Sequence, residues 1–291
     1  MNERVNPELI AAVVEEVIKQ LMTTGNVNLP SCASPARSFE GKDISSPEVK
    51  AVPLLDRIED PDALERMMKK TTARIGVGRS GPRLKTQTLL ALRADHAQAR
   101  DAVFADVDEK VIREANLFTV QTLCDDKNTF ITRPDLGRKL NDEAVKTLRE
   151  RCTPNPDVQI YAADGLSSTA IEANLNKILP VLTDALKAAG LKVGTPFYLR
   201  FGRVGSQEHV AEVLGAKVVC TLIGERPGLA TAESMSAYIA YNAYVGMPEA
   251  KRTVVSNIHK DGTAAVEAGA YIAEVIRKIY DQKASGVDLV K

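Results

Sequence analysis

The sequence predicts an α/β protein in which a mainly helical N-terminal region precedes a C-terminal domain with a Rossmann-like, mostly parallel β-sheet. Two observations indicate this class. After residue 154, apolar runs of strand length alternate with runs of helix length, and each apolar run ends in glycine and polar residues. Before that point, helix caps and one-sided apolar stripes predominate and strand signals are few. A chain of 291 residues is long enough for each of these two regions to bury a hydrophobic core.

The chain divides into four predicted segments. They are an amphipathic helix (1–22), a flexible linker (23–53), a mainly helical domain (54–153) and an α/β domain (154–291). The first helix begins at Asn6 and Pro7, and its apolar stripe consists of Leu9, Ile10, Val13, Val17 and Leu21. A helix on a polar linker is typical of a docking element. The alternative is an ordinary first core helix.

Helical patterns dominate the predicted domain over residues 54–153. Asp60 can cap a helix with Pro61 in its first turn, and further helices are predicted over 86–103 and 142–151. Between them, Gly76, Gly78 and Gly81 match the dinucleotide string G-x-G-x-x-G. The residues before this string indicate helix and not strand, which disfavours a dinucleotide site. A basic loop that contacts a partner subunit or a polar cofactor tail is the preferred interpretation.

The α/β domain shows the alternation most clearly. Strands are predicted over 158–163, 197–201, 216–223 and 253–258, and helices over 168–189, 208–214, from about 233, and over 263–283. Ligands of parallel sheets bind beyond the carboxyl ends of the strands. The segments 164–167, 202–204, 224–228 and 256–259 should therefore share one edge. Their small residues predict that a flat ligand approaches the backbone closely there.

Composition excludes several function classes. Lys plus Arg and Asp plus Glu are 38 each, aromatic residues make up 4% and tryptophan is absent, so a nucleic-acid binder is disfavoured. No apolar run is long enough to span a membrane and no secretory signal is visible, which predicts a cytoplasmic protein without a membrane partner. The four cysteines are far apart, and the sequence predicts reduced thiols with neither disulfides nor a zinc site.

The titratable residues at the predicted edge are Asp164, Arg203, Glu225, Arg226 and His259. Their spacing matches no acid–base pair and no nucleophile with its base, so we assign no catalytic residue. For Glu225 the alternative to ligand binding is a solvated carboxylate paired with Arg226. None of the three histidines has metal-ligand spacing. The cobalamin motif D-x-H-x-x-G, which supplies a histidine to cobalt, is absent from the sequence.

Several motifs resemble one enzyme family, the small (light) subunits of ethanolamine ammonia-lyase. The resemblance runs in order from about residue 60 to the C-terminus. Its segments are GRSGPR (78–83), TRPDLGR (132–138), residues 157–167, GLKVGTPF (190–197), LGAKVV (214–219), GERPG (224–228), SNIH (256–259) and QKASG (282–286).

This resemblance implies an adenosylcobalamin-dependent lyase that converts ethanolamine to acetaldehyde and ammonia by a radical reaction. A large subunit would carry the substrate site, in a hetero-oligomer with six copies of each chain. The small subunit would close over a base-on corrin through Val204, Glu225 and Val254, where Val254 stands in place of the cysteine of relatives. The first helix would package the enzyme into an ethanolamine-utilisation microcompartment by docking to its shell.

Two other functions remain open from the sequence pattern. A nucleotide-dependent oxidoreductase would use the strand edge to bind a nicotinamide cofactor. A non-catalytic scaffold would only dock a partner through the first helix.

Overall fold

The computed structural model of the protein describes residue 44 and residues 46–290. The predicted helix over 1–22 and most of the predicted linker lie outside the described residues. In the last part of that linker, Pro47–Lys50 form a single helical turn, α1. The described residues belong to one compact unit that begins at Ile44. The predicted boundary between residues 153 and 154 stays a prediction.

Residues 54–153 contain five α-helices, one 3-10 turn (Leu136–Arg138) and three short strands in the described structure. Asp60 caps the first of these helices as predicted, because its Oδ1 accepts a hydrogen bond from the amide of Ala63 at 2.8 Å. Asn141 caps the last one by the same interaction with Ala144. The elements are α2 (Pro61–Met68), β1 (Arg79–Ser80), β2 (Arg83–Leu84), α3 (Thr86–Phe104), α4 (Glu109–Glu114), β3 (Thr119–Gln121), α5 (Lys127–Thr132) and α6 (Asp142–Arg151).

The second half alternates strands and helices. All four predicted strands are confirmed within two residues, as are the helices predicted over 168–189, 208–214 and 263–283. The elements are β4 (Val158–Ala163), α7 (Ser168–Ala188), β5 (Phe197–Arg200), α8 (Ser206–Leu214), β6 (Val218–Gly224), β7 (Met235–Tyr241), β8 (Thr253–Ile258) and α9 (Ala265–Gln282).

The main sheet of the described chain has the strand order β3-β5-β4-β6-β7-β8. The first four strands are parallel to one another, whereas β7 is antiparallel to both β6 and β8. Strand β8 therefore runs in the direction of the parallel strands, and its carboxyl end lies at their edge. The α/β class and the mostly parallel sheet are confirmed.

The helix predicted from about residue 233 is wrong, because these residues form strand β7. Their composition explains the error, since Ala237 and Ala240 favour helices. The position in the sheet overrides this preference. Strand β7 pairs on both sides, and Ala237 and Ile239 pack in one core while Tyr238 packs against the other.

Helices cover both faces of the sheet. The first core lies between the sheet and α4, α7 and α9, and includes Leu175, Leu182 and Ile272. The second core lies beneath α6 and α8 and includes Tyr161, Phe197 and Val210. Strands β4 and β6 are buried along their whole length, as expected for central strands of a sheet covered on both sides. In the described part of the chain, no helix has the length and apolar character needed to span a membrane.

Candidate functional site

The carboxyl ends of the central strands converge, as the sequence predicts. The carboxylate of Asp164, which follows β4, accepts hydrogen bonds from the amides of Gly165 and Gly202 at 3.1 Å each. The amide of Leu166 donates to the carbonyl of Gly224 at the end of β6. Because Gly202 follows β5, these bonds join the ends of three neighbouring strands.

Three of the glycines at this edge serve the packing of the chain on itself, and their predicted role in ligand approach stays a prediction. A Cβ on Gly224 would lie 2.0 Å from the carbonyl oxygen of Ser167, and one on Gly165 would lie 2.3 Å from that of Gly224. A Cβ on Gly202 would lie 2.8 Å from Ala163. Gly228 differs, because its nearest neighbouring atom would be 3.9 Å away. Of these four glycines, only Gly228 could carry a Cβ without close contact to the rest of the described chain.

Asp164 supports the structure of this edge. It is buried and pairs with Lys127, with 3.1 Å between Oδ2 and Nζ. Burial raises the pKa of the Asp164 carboxyl above its ordinary value, while the Lys127 ammonium and the two backbone amides act in the opposite direction. The carboxylate is 1% exposed and its hydrogen bonds to Lys127, Gly165 and Gly202 hold the strand ends together.

Arg203 and His259 also have local partners. The guanidinium of Arg203 donates to the carbonyl of Phe130 at 2.6 Å, and burial lowers its pKa. His259 is buried, and its Nδ1 accepts from the amide of Asp261. Its Nε2 therefore carries the proton and donates to Asn257 Oδ1 at 2.7 Å. His259 therefore lies in the protein interior with both ring nitrogens hydrogen-bonded to neighbouring protein groups.

The three predicted corrin contacts, Val204, Glu225 and Val254, lie on one side of the sheet. Val204 packs against the second core in the turn before α8. Glu225 follows β6 directly. Val254 pairs with Tyr238 of β7, and Tyr238 packs against the same core. Directly opposite residues of antiparallel strands point to the same face of a sheet, so Val254 also points to this side.

This side of the sheet is open at β7 and β8. The helix α8 contacts β6, whereas Val254 is 44% exposed and Ser256 is exposed as well. Glu225 and Tyr238, which lie on the same side of the sheet, are half-buried. We call the surface formed by Val204, Glu225, Tyr238, Val254 and Ser256 the β7–β8 face. It combines two apolar side chains with one carboxylate.

Glu225 is held by Tyr238 and not by Arg226. The Tyr238 hydroxyl donates to Glu225 Oε1 at 2.9 Å, whereas Arg226 is exposed and forms no ion pair among the described residues. Burial and the hydrogen bond to Glu225 raise the pKa of Tyr238 to about 12, so the phenol keeps its proton at neutral pH. The alternative interpretation of Glu225, a solvated carboxylate paired with Arg226, does not match these contacts. A strand prediction over residues 236–240, with alternating side chains, would have placed Tyr238 on the β7–β8 face.

A row of polar groups continues from this face into the sheet. The cross-strand register places Tyr161, Thr221, Tyr238 and Val254 side by side. The Tyr161 hydroxyl donates to Ser206 Oγ, which itself donates to the carbonyl of Arg203. Thr221 Oγ1 and Ser236 Oγ are buried on the same side and have no hydrogen-bond partner in the described structure.

The G-x-G-x-x-G string leads into a hairpin and does not follow the strand–turn–helix arrangement typical of dinucleotide binding. Helix α2 precedes it, and β1 pairs antiparallel with β2 across Gly81 and Pro82. The side chains of Arg79 and Arg83 are exposed on this hairpin. A Cβ on Gly78 would lie 2.6 Å from the carbonyl oxygen of Leu54, so this glycine also serves close packing of the chain.

A groove of about 1360 Å³ lies between α2, α3 and the loop 229–233. Its polar wall is built around Asp95, which is buried and accepts two hydrogen bonds from Arg74. Lys50 completes this cluster at 3.2 Å from Asp95 Oδ1. None of the three predicted corrin contacts lines the groove.

Three of the four cysteines lie among the described residues. Cys124, Cys152 and Cys220 are free, buried thiols, whereas Cys32 lies outside the described residues. Burial raises the pKa of Cys152 to about 11 and that of Cys220 to about 12. Within residues 46–290, no three His, Cys, Asp or Glu side chains are grouped as ligands of a metal ion.

Comparison with known proteins gives one consistent family. Residues 61–290 match the family model described as ethanolamine ammonia-lyase light chain. An ethanolamine ammonia-lyase small subunit of Fusobacterium nucleatum is 50% identical over 284 residues, which cover 95% of this chain and 96% of the relative. The small subunit of Clostridium tetani is 52% identical over the same shares of both chains. That of Listeria innocua is 46% identical over 99% of this chain and 100% of its own length.

Proposed function

The chain belongs to the ethanolamine ammonia-lyase light-chain family, and we propose that it is the small subunit of an adenosylcobalamin-dependent enzyme that converts ethanolamine to acetaldehyde and ammonia. The observation that carries this proposal is the family match over residues 61–290, with about half of the residues identical to small subunits along nearly the whole chain.

The proposed partner is a large subunit, in a complex with six copies of each chain. The name small subunit, which the relatives carry, supports a second chain. The large subunit carries the substrate site and the catalytic side chains. The titratable groups Asp164, Arg203 and His259 are engaged with neighbouring protein groups, which supports a non-catalytic role for this chain.

The residues of the β7–β8 face fit the proposed cofactor. A corrin is a broad, flat ring with amide side chains along its rim. Val204 and Val254 provide apolar contact to such a ring, and Glu225 can accept a hydrogen bond from an amide N–H. In this fit, Val254 needs only van der Waals contact, so the replacement of the family's cysteine costs little.

When bound, adenosylcobalamin supplies the radical that abstracts hydrogen from the substrate. The role of this chain is to cover one side of the cofactor and to exclude water and oxygen from the radical. The absence of D-x-H-x-x-G from the sequence supports a cofactor that keeps its own base on cobalt. An optical or spin-resonance spectrum of the bound cofactor tests this base-on state.

Reconstitution tests the proposed function. The chain is mixed with a large subunit, adenosylcobalamin and ethanolamine, and acetaldehyde is measured. We expect turnover that requires both chains. Turnover by the large subunit alone would support the scaffold alternative, and calorimetric binding of a nicotinamide cofactor to the isolated chain would support the oxidoreductase.

The proposed location is a bacterial microcompartment of the ethanolamine-utilisation type, within the cytoplasm. The apolar stripe of Leu9, Val13 and Val17 and the polar linker behind it support a docking helix. Deletion of residues 1–22 should leave the turnover of the reconstituted complex unchanged and abolish its co-sedimentation with shells. Unchanged co-sedimentation would refute the targeting role.

A further inference from the structure

The backbone and ring of Tyr238 are held by neighbouring elements of the protein. Its backbone pairs with Thr221 of β6 and with Val254 of β8. Its carbonyl oxygen accepts a hydrogen bond from the side chain of Gln207 on α8 at 2.7 Å. The ring packs against the second core. The sheet and α8 therefore fix the backbone of Tyr238, and the second core supports its ring, without a contribution from Glu225.

Glu225 has a different environment. It follows the last residue of β6 and is half-buried. Its amide donates to the carbonyl of Ser234, which fixes the backbone. The side chain has several rotatable bonds, and the contact that fixes it in the described structure is the hydrogen bond from Tyr238 to Oε1. The second oxygen, Oε2, makes no hydrogen bond to any described residue.

We propose that Tyr238 is a positioning residue that holds the Glu225 carboxylate with Oε2 directed to the β7–β8 face, ready to accept an N–H donor of the ligand. This inference rests on the proposed function, because the donor would be an amide of the corrin rim. The group that binds Oε2 must be a hydrogen-bond donor, since an ionised carboxylate has no proton to give.

The physical benefit is preorganisation. A free glutamate loses rotamer freedom when it binds a ligand, and this loss weakens binding. A carboxylate already held by Tyr238 has lost that freedom in the unbound protein. The phenol keeps its proton at neutral pH, because its pKa is raised to about 12, so it can donate to the Glu225 carboxylate.

Cofactor affinity tests the inference without turnover. The complex of this chain with a large subunit is titrated with adenosylcobalamin, and the dissociation constant is measured by equilibrium dialysis. Four forms are compared: the wild type, Tyr238→Phe, Glu225→Ala and the double variant. We expect Tyr238→Phe to weaken binding by about tenfold, and Glu225→Ala to weaken it by at least as much.

The double variant separates positioning from a direct or purely structural role. If Tyr238 acts through Glu225, removing its hydroxyl has no further effect once Glu225 is alanine, and the double variant binds like Glu225→Ala. An equal loss from Tyr238→Phe in both backgrounds would overturn the inference. Tyr241→Phe is the matched control, because Tyr241 lies on the same strand but packs against the opposite core. It should bind like the wild type.

The outcomes also distinguish this inference from the proposed function. If Glu225→Ala binds the cofactor as tightly as the wild type, the proposed contact at Glu225 is wrong and the inference falls with it. If Glu225→Ala weakens binding and Tyr238→Phe does not, only the positioning role is overturned. Urea unfolding of each variant chain shows whether a change in affinity merely follows a loss of folded protein.

Discussion

Arg252 and Glu208 form a buried ion pair in which Arg252 Nη2 donates to Glu208 Oε1 at 2.5 Å. Arg252 immediately precedes β8, and Glu208 lies in the first turn of α8. The second carboxylate oxygen of Glu208 accepts from the amide of Gly246 at 2.8 Å. The pair therefore ties the strand that carries Val254 to the helix that follows Val204, and so sets the distance between two parts of the β7–β8 face.

Arg252→Met should strongly destabilise the protein. The substitution leaves Glu208 buried without its charged partner, which costs about 3–5 kcal/mol in comparable pairs. Urea unfolding followed by circular dichroism measures this loss. Lys69→Met is the control, because Lys69 and Glu65 form an exposed pair on α2 that should contribute little. Equal unfolding midpoints for the two variants would contradict the structural role of Arg252.

Gly224→Ala should destabilise the protein, whether or not a ligand binds. The new methyl group would lie 2.0 Å from the carbonyl oxygen of Ser167 and 2.6 Å from that of Asp164, both of which are backbone atoms. Relief of this overlap requires the strand ends to separate, at a cost of about 1–3 kcal/mol or more. Gly228→Ala meets no atom closer than 3.9 Å and should be nearly neutral. The difference is measured as the free energy of unfolding of the isolated chain. Equal free energies of unfolding for Gly224→Ala and Gly228→Ala would contradict the close packing of the strand ends.

The free energy of unfolding should fall as the pH rises above the ordinary tyrosine value of 10. Burial raises the pKa of the Tyr161 phenol, which donates to Ser206. Above pH 10 the unfolded chain releases this proton while the folded chain keeps it, so rising pH favours unfolding. One such group contributes a slope of about 1.4 kcal/mol per pH unit. Tyr161→Phe should flatten the decline between about pH 10 and pH 11. Identical slopes for both proteins would contradict this assignment.

Much of the fold could be predicted from the sequence, because buried strands carry a clear pattern of apolar residues. Strands β4 and β6 are apolar along most of their length, and glycine or polar residues follow them directly. Asp60 and Pro61 mark the start of α2 without ambiguity. Strand β3 is only three residues long, too short for a periodic pattern, and it gains its stability from pairing with β5.

The candidate site could be predicted from the sequence only in part. A glycine at a strand end shows that some atom approaches the backbone closely, but not whether that atom belongs to the protein or to a ligand. At Gly165, Gly202 and Gly224 it belongs to the protein. The sequence did not indicate Tyr238 as a site residue, because its neighbours Ala237 and Ala240 favour a helix. Its contact with Glu225 also depends on a strand pairing that the local sequence does not specify.

The affinity of the two-subunit complex for adenosylcobalamin, with Val254→Asp in this chain, tests the role of the β7–β8 face most directly. Val254 is 44% exposed, so the chain should fold with aspartate there. An unpaired carboxylate pressed against an apolar ring loses its hydration, and we predict that the dissociation constant rises by at least about tenfold. Val266→Asp, on the exposed side of α9, is the control and should bind like the wild type. A Val254→Asp complex with the affinity of the wild type would contradict the proposal that this face covers the cofactor.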